Sequence, residues 1–208
     1  MPLAGNARPA TLLGVLLGSL LGGHAAAQGG AVITGQVRGT DTRPAAEVFV
    51  YVRSGLPSRA KYQAPAAPVP LEVSGCRFRP RLVAVMAGQA LEIRNADAVP
   101  RRIGAAAGKN RAFEMALAPG DRTRRYLATP EIPVRLRCDG RPETTAAVAV
   151  LAHPFFAVTG ADGRFTLHGL PPGTYTIEVW HERFGTHSAT ITVTSAGSVS
   201  RDFSFAAR

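Results

Sequence analysis

Apolar and polar residues alternate with period two through nearly every patterned stretch of this chain, and glycine or proline interrupts the alternation at short intervals. The runs Glu47-Val48-Phe49-Val50-Tyr51-Val52, Thr174-Tyr175-Thr176-Ile177-Glu178-Val179-Trp180 and Ala189-Thr190-Ile191-Thr192-Val193 show it most clearly. Successive side chains on a strand point to opposite faces, so this pattern predicts half-buried strands; an amphipathic helix repeats every three to four residues instead. With 22 glycines and 16 prolines spread through the chain, no long amphipathic helix is visible. The stretch Asn110 to Leu117 is read as at most one helical turn, and Ala60 to Pro70, rich in alanine and proline, as an irregular connector. The expected fold class is all-β, with short antiparallel strands packed as sandwiches.

Residues 1–27 stand apart as an export signal: Arg8 supplies a positive start, Thr11 to Leu21 a short apolar core, and Ala25-Ala26-Ala27 before Gln28 a small-residue cleavage site. A bilayer-spanning helix needs about 20 apolar residues, and neither this run nor any later one is long enough, so no transmembrane segment is expected. The expected location is periplasmic or secreted. The formal net charge is +10, carried almost wholly by arginine, since Lys61 and Lys109 are the only lysines. Such a balance suits a solvated basic surface, or a partner that is an envelope protein or an anionic polymer. Nucleic acid is excluded as a partner by export and by the lack of a recognisable nucleic-acid module.

Two cysteines, Cys76 and Cys138, sit beside predicted strands. An even count in an exported chain predicts one disulfide between them, which would leave Cys138 without a thiolate.

The C-terminal part has its own signature. Phe156 to Thr159 leads into the turn Gly160-Ala161-Asp162-Gly163, the strand Arg164-Phe165-Thr166-Leu167 follows, and Leu170-Pro171-Pro172-Gly173-Thr174-Tyr175 makes a rigid turn into the next strand. From about residue 156 to 205 this resembles the second half of the carboxypeptidase regulatory-like domain, a small transthyretin-like β-sandwich. Ile33-Thr34-Gly35-Gln36-Val37, Arg43-Pro44-Ala45-Ala46 and Val48-Phe49-Val50-Tyr51-Val52 fit the first half of the same domain. The resemblance therefore implies a discontinuous sandwich of residues 31–54 with 152–208, into which a second unit, 58–151, is inserted. The rival arrangement is two domains in series.

That second unit resembles the cupredoxin domains of bacterial periplasmic proteins of the methylamine-utilisation type. The resemblance rests on Phe78-Arg79-Pro80, Val83-Ala84-Val85, Gly88-Gln89, Leu91-Glu92-Ile93-Arg94-Asn95 with Asp97, and Val134-Arg135-Leu136-Arg137 running into Cys138-Asp139-Gly140-Arg141-Pro142. It implies a Greek-key sandwich with a histidine after the Asn-x-Asp turn and a Cys-x-x-His-x-x-Met cluster. Here those positions hold Arg101, Cys138, Arg141 and Thr144. A guanidinium stays protonated and has no lone pair to give a metal, so the expected cofactor is none.

The same resemblance would bring Arg101, Arg102 and Arg141 to one end of the sandwich, where forked guanidiniums could bind carboxylate or phosphate. The plainer expectation is that they point into water or pair with Asp97 and Asp139. His153, His168, His181 and His187 show no metal-ligand spacing, and His153 reads as a packed or hydrogen-bonded junction residue. Trp180 with Tyr175, His181 and Phe184 is the candidate ligand platform of a carbohydrate-binding-like fold, although Trp180 and Tyr175 equally suit a core. No nucleophile-base pair, carboxylate dyad or phosphate loop is present. The expected role is non-catalytic, structural or protein-interacting, with a carbohydrate- or anion-binding module and a copper electron carrier as alternatives.

Overall fold

The described residues of the computed structural model are 30–139, 141–194 and 197–206, the side chains of 141–144 excepted. The signal expected at 1–27 lies outside them. Among the described residues every regular element is a strand. In chain order these are β1 (Ala31–Arg38), β2 (Phe49–Ser54), β3 (Val69–Ser74), β4 (Arg77–Arg79), β5 (Leu82–Met86), β6 (Ala90–Asn95), β7 (Arg101–Ala106), β8 (Phe113–Leu117) and β9 (Arg122–Tyr126). There follow β10 (Glu131–Cys138), β11 (Arg141–Leu151), β12 (Phe156–Val158), β13 (Arg164–Leu170), β14 (Gly173–His181), β15 (Gly185–Val193), β16 (Ser198–Ser200) and β17 (Phe203–Ser204). The expected helical turn at Asn110 to Leu117 is instead a bend followed by β8. Phe113, Met115 and Leu117 alternate inward there, and the backbone pairs antiparallel with β7.

The described strands form four sheets, and these stack as layers. The first, β13-β1-β16 with β17 beside β1, packs on the second, β12-β2-β14-β15. Ile33, Val37, Val50, Phe165, Leu167, Tyr175 and Ile177 fill the space between them, so this sandwich takes its core from both ends of the chain. The third sheet, β5-β11-β10-β7-β8, packs on the fourth, β4-β3-β6-β9, around Leu71, Val73, Val85, Leu91, Ile93, Val134 and Val148. The turn before β13 needs Gly163: its φ is +68°, and a Cβ there would come within 2.5 Å of the Val37 carbonyl oxygen.

A third apolar layer joins the two sandwiches. Phe49, Tyr51, Leu82, Ala147, Ala149 and Leu151 are all buried in it, with Trp180 and Ile132 packed alongside. Strand β2 therefore hides both faces, Val50 and Val52 on one side, with Val48 just before the strand, and Phe49 and Tyr51 on the other. Burying apolar surface stabilises by roughly 25 cal/mol per Å², so this seam couples the two sandwiches mechanically.

Candidate functional site

At one end of the second sandwich, Asn95 closes β6 fully buried. Its Nδ2 donates to the carbonyls of Val99 (2.9 Å) and Leu117 (3.0 Å), and its Oδ1 accepts the Asp97 N–H at 3.0 Å. That turn aims the Asp97 carboxylate across to the neighbouring loop, where Oδ1 accepts the Gly75 N–H at 2.7 Å. Asp97 Oδ2 accepts from Arg101 Nε at 2.5 Å. The Gly75 N–H is the main reason the Asp97 carboxyl is held below its ordinary range; burial opposes this and the Arg101 guanidinium adds to it. The residue after Gly75 is Cys76, bonded to Cys138 at the end of β10 with a Cα–Cα distance of 5.6 Å. The expected disulfide is present, and both cysteines are buried.

This end does not suit copper. The Cys138 sulfur is committed to the disulfide, and Arg101 offers no lone pair and is tied to Asp97. Among the described residues no group of three or more His, Cys, Asp or Glu is placed to hold a metal ion. Arg102 lies 3.5 Å from Asp139. Arg141 pairs with Cys138 along the backbone, but its side chain and that of Thr144 lie outside the described residues.

Of the residues named as a platform, His181 and Phe184 are brought together, but Tyr175 and Trp180 are not. Tyr175 and Trp180 are an odd number of residues apart on β14 and so face opposite sides. Tyr175 is in the first core, its hydroxyl donating to the Pro171 carbonyl at 2.7 Å. Trp180 stacks on Phe49 in the seam, centroids 5.4 Å apart. His181 stacks on Phe184 at 4.4 Å, and burial, then the charges of Arg81 and Arg183, push its pKa down. His187 bonds the Ser204 carbonyl at 3.0 Å. His153 is buried: Nδ1 accepts the Phe155 N–H, so Nε2 carries the proton it gives to the Val52 carbonyl at 2.8 Å.

The polar residues that sequence reasoning missed lie along the seam. Arg81, just before β5, donates Nε to Glu47 (2.8 Å) and Nη1 to Glu182 (2.6 Å), and Glu182 also accepts from Arg135 at 2.5 Å. This bridge ties residues beside β2 and β14 to β5 and β10. On the same side of β2, the Tyr51 hydroxyl donates to the buried Glu178 carboxylate, which also accepts from Arg53 at 2.6 Å. Burial, reinforced by Glu178, raises the Tyr51 pKa. A groove of about 540 Å³ opens here between the sandwiches, lined by Tyr51, Arg53, Ile132, Leu151, Glu178 and Trp180.

Glu131 fixes the rim of that groove. It accepts from the backbone N–H groups of Gly108, Lys109 and Asn110 and from the Asn110 side chain. Burial pushes its carboxyl up, but these donors outweigh it and hold the pKa at about 2, against an ordinary 4.5. A depressed carboxyl contributes stability that is fully present above the unfolded value and lost as pH falls through the folded one. The Glu131→Gln variant should therefore flatten the melting temperature against pH between about 4.5 and about 2, read by circular dichroism.

Over residues 134–206 the sequence matches the carboxypeptidase regulatory-like domain family. No curated protein sequence matches the chain. Among solved structures, a purple cupredoxin from Nitrosopumilus maritimus is similar at 18% identity and a TM-score of 0.34, over 39% of this chain and 97% of that one. A copper-containing nitrite reductase from Thermus scotoductus shares 19% identity at a TM-score of 0.38, over 47% of this chain and 25% of its own. An oxidised amicyanin variant shares 12% identity at 0.37, over 49% of this chain and 97% of its own. The chain carries a carboxypeptidase regulatory-like region over 134–206, and its likeness to cupredoxins is distant and of low identity.

Proposed function

We propose that this is an exported, non-catalytic β-sandwich protein whose role in the periplasm or cell envelope is structural or protein-interacting. One observation carries the reading: of the four residues that the resemblance aligns with copper ligands, both whose side chains are described are taken up by structural bonds. Cys138 is joined to Cys76, and Arg101 is bonded to Asp97 at 2.5 Å. A disulfide also suits an oxidising compartment.

We further propose the boundaries 31–54 with 152–208 for the regulatory-like sandwich and 58–151 for an inserted cupredoxin-like unit without copper ligands. The pairing of β1 with β13 and of β2 with β14 supports this division. The apolar seam and its Arg81 bridge favour a rigid body that positions a partner.

Titration of the oxidised protein with Cu(II) and Cu(I) tests the reading. The expected result is no stoichiometric metal and no visible thiolate-to-copper band. One tightly held copper with an intense band would overturn it and restore electron transfer.

A further inference from the structure

The outward face of the β4-β3-β6-β9 sheet is dominated by arginine. Phe78, Val73, Ile93 and Leu91 point into the core, so their strand neighbours point out. The pairing then sets Arg79, Glu72, Arg94 and Arg122 in one row across the four strands. Arg124 pairs with Glu92 in the next row, and Arg77 stands beside Ser74. Glu72 lies 3.4 Å from Arg94, and Glu92 lies 3.1 Å from Arg124. Among the described residues Arg77, Arg79 and Arg122 make no ion pair, so this face carries a clear excess of guanidinium.

The pairing also has a cost. Arg94 and Arg122 sit directly opposite each other on antiparallel strands, and like charges in that arrangement destabilise a sheet. Their backbone positions are one strand spacing apart, about 4.8 Å, and Arg79 lies two strands away from Arg94 on the other side, about twice as far. A ligand carrying negative charge at similar intervals would turn that repulsion into attraction through forked hydrogen bonds.

We propose that this face docks a linear polyanion, a polymer bearing carboxylate or phosphate groups at close spacing. The cations are spread over an open sheet face, and the depression along it, lined by Pro70, Leu71, Glu72, Glu92, Arg94 and Arg122, holds only about 210 Å³. That geometry fits a strand of polymer laid across the sheet rather than an enclosed small molecule. A lipid surface fits less well, because the face has no cluster of apolar side chains to insert; Tyr126, 64% exposed, stands alone at its margin. The inference names a partner class for the non-catalytic role above but does not depend on it, and a copper result in either direction leaves this surface unchanged.

The test titrates the purified protein with long-chain inorganic polyphosphate and, separately, with polygalacturonate, at low and at physiological salt. We expect at least one polymer to bind, more weakly at the higher salt; which one binds distinguishes phosphate from carboxylate recognition. The triple variant Arg77→Gln, Arg79→Gln, Arg122→Gln should weaken binding by at least about tenfold. A matched variant of the first sandwich, Arg43→Gln, Arg164→Gln, Arg201→Gln, loses the same formal charge and should stay within about twofold. Both are checked for the parent's melting temperature, and single variants replace any triple that melts early. Equal losses in the two variants would reduce the effect to net charge and overturn the proposal. So would binding to neither polymer, or, in a parallel titration with phosphatidylglycerol vesicles, binding to the vesicles alone.

Discussion

Replacing Cys76 and Cys138 together by alanine is expected to lower stability by about 4 kcal/mol. The bond closes a segment of 62 residues, and the entropy restored to an unfolded chain by opening a loop of that size corresponds to about 4 kcal/mol at room temperature. For a chain of this length the melting temperature should fall by roughly 10 °C. The loss should concentrate in the second sandwich, because the bond ties the Gly75-Cys76 turn to the end of β10 and touches nothing in the first. Calorimetry on parent and variant measures it. A shift of only a degree or two would mean that Asp97, holding Gly75 and Arg101 together, already fixes that turn unaided.

Phe49→Ala should cost a similar amount by a different route. Phe49 is 1% exposed in the seam, with Trp180 stacked on it, and deleting a buried phenyl ring costs about 3–5 kcal/mol. The cavity would open between the sandwiches rather than within either core. The parent, joined through the seam, is expected to melt in one transition, and the variant in two, one for each sandwich. A lowered but still single transition would place the coupling in the Arg81, Glu47, Glu182 and Arg135 bridge instead.

The β class was legible because period-two alternation is a direct print of strand geometry. It read well in β14 and β15, and it corrects the reading of Asn110 to Leu117, where Phe113, Met115 and Leu117 are spaced for a strand. The seam was visible too, in a form easily passed over. Val48 to Val52, read as an alternating half-buried strand, is in fact apolar at every position, as is Ala146 to Leu151, and strands written that way are buried on both faces. What could not be read was polar pairing across distance. Arg81 meets Glu182 from 101 residues away, and nothing local marks either as a partner. Tyr175 and Trp180 were a readable exclusion, since an odd separation on one strand already puts them on opposite faces. The family match over 134–206 runs across β10 and β11 of the second sandwich and leaves out β1 and β2. A contiguous stretch of sequence and a packed core need not share boundaries when a sheet draws strands from both ends of a chain.

The order of the layers gives the molecule a direction. Gly30, Phe203 and Phe205 lie at or beside the sheet that contains β1, the layer farthest from the arginine-bearing one. Packed sheets lie about 10 Å apart, so three such steps separate the two outermost layers by roughly 30 Å. Anything fastened near residue 206 would hold the opposite face that far out from its anchor, facing away from it. A probe attached there for surface immobilisation should leave the arginine face open to a polymer in solution, whereas random coupling through Lys61 or Lys109 would not orient it.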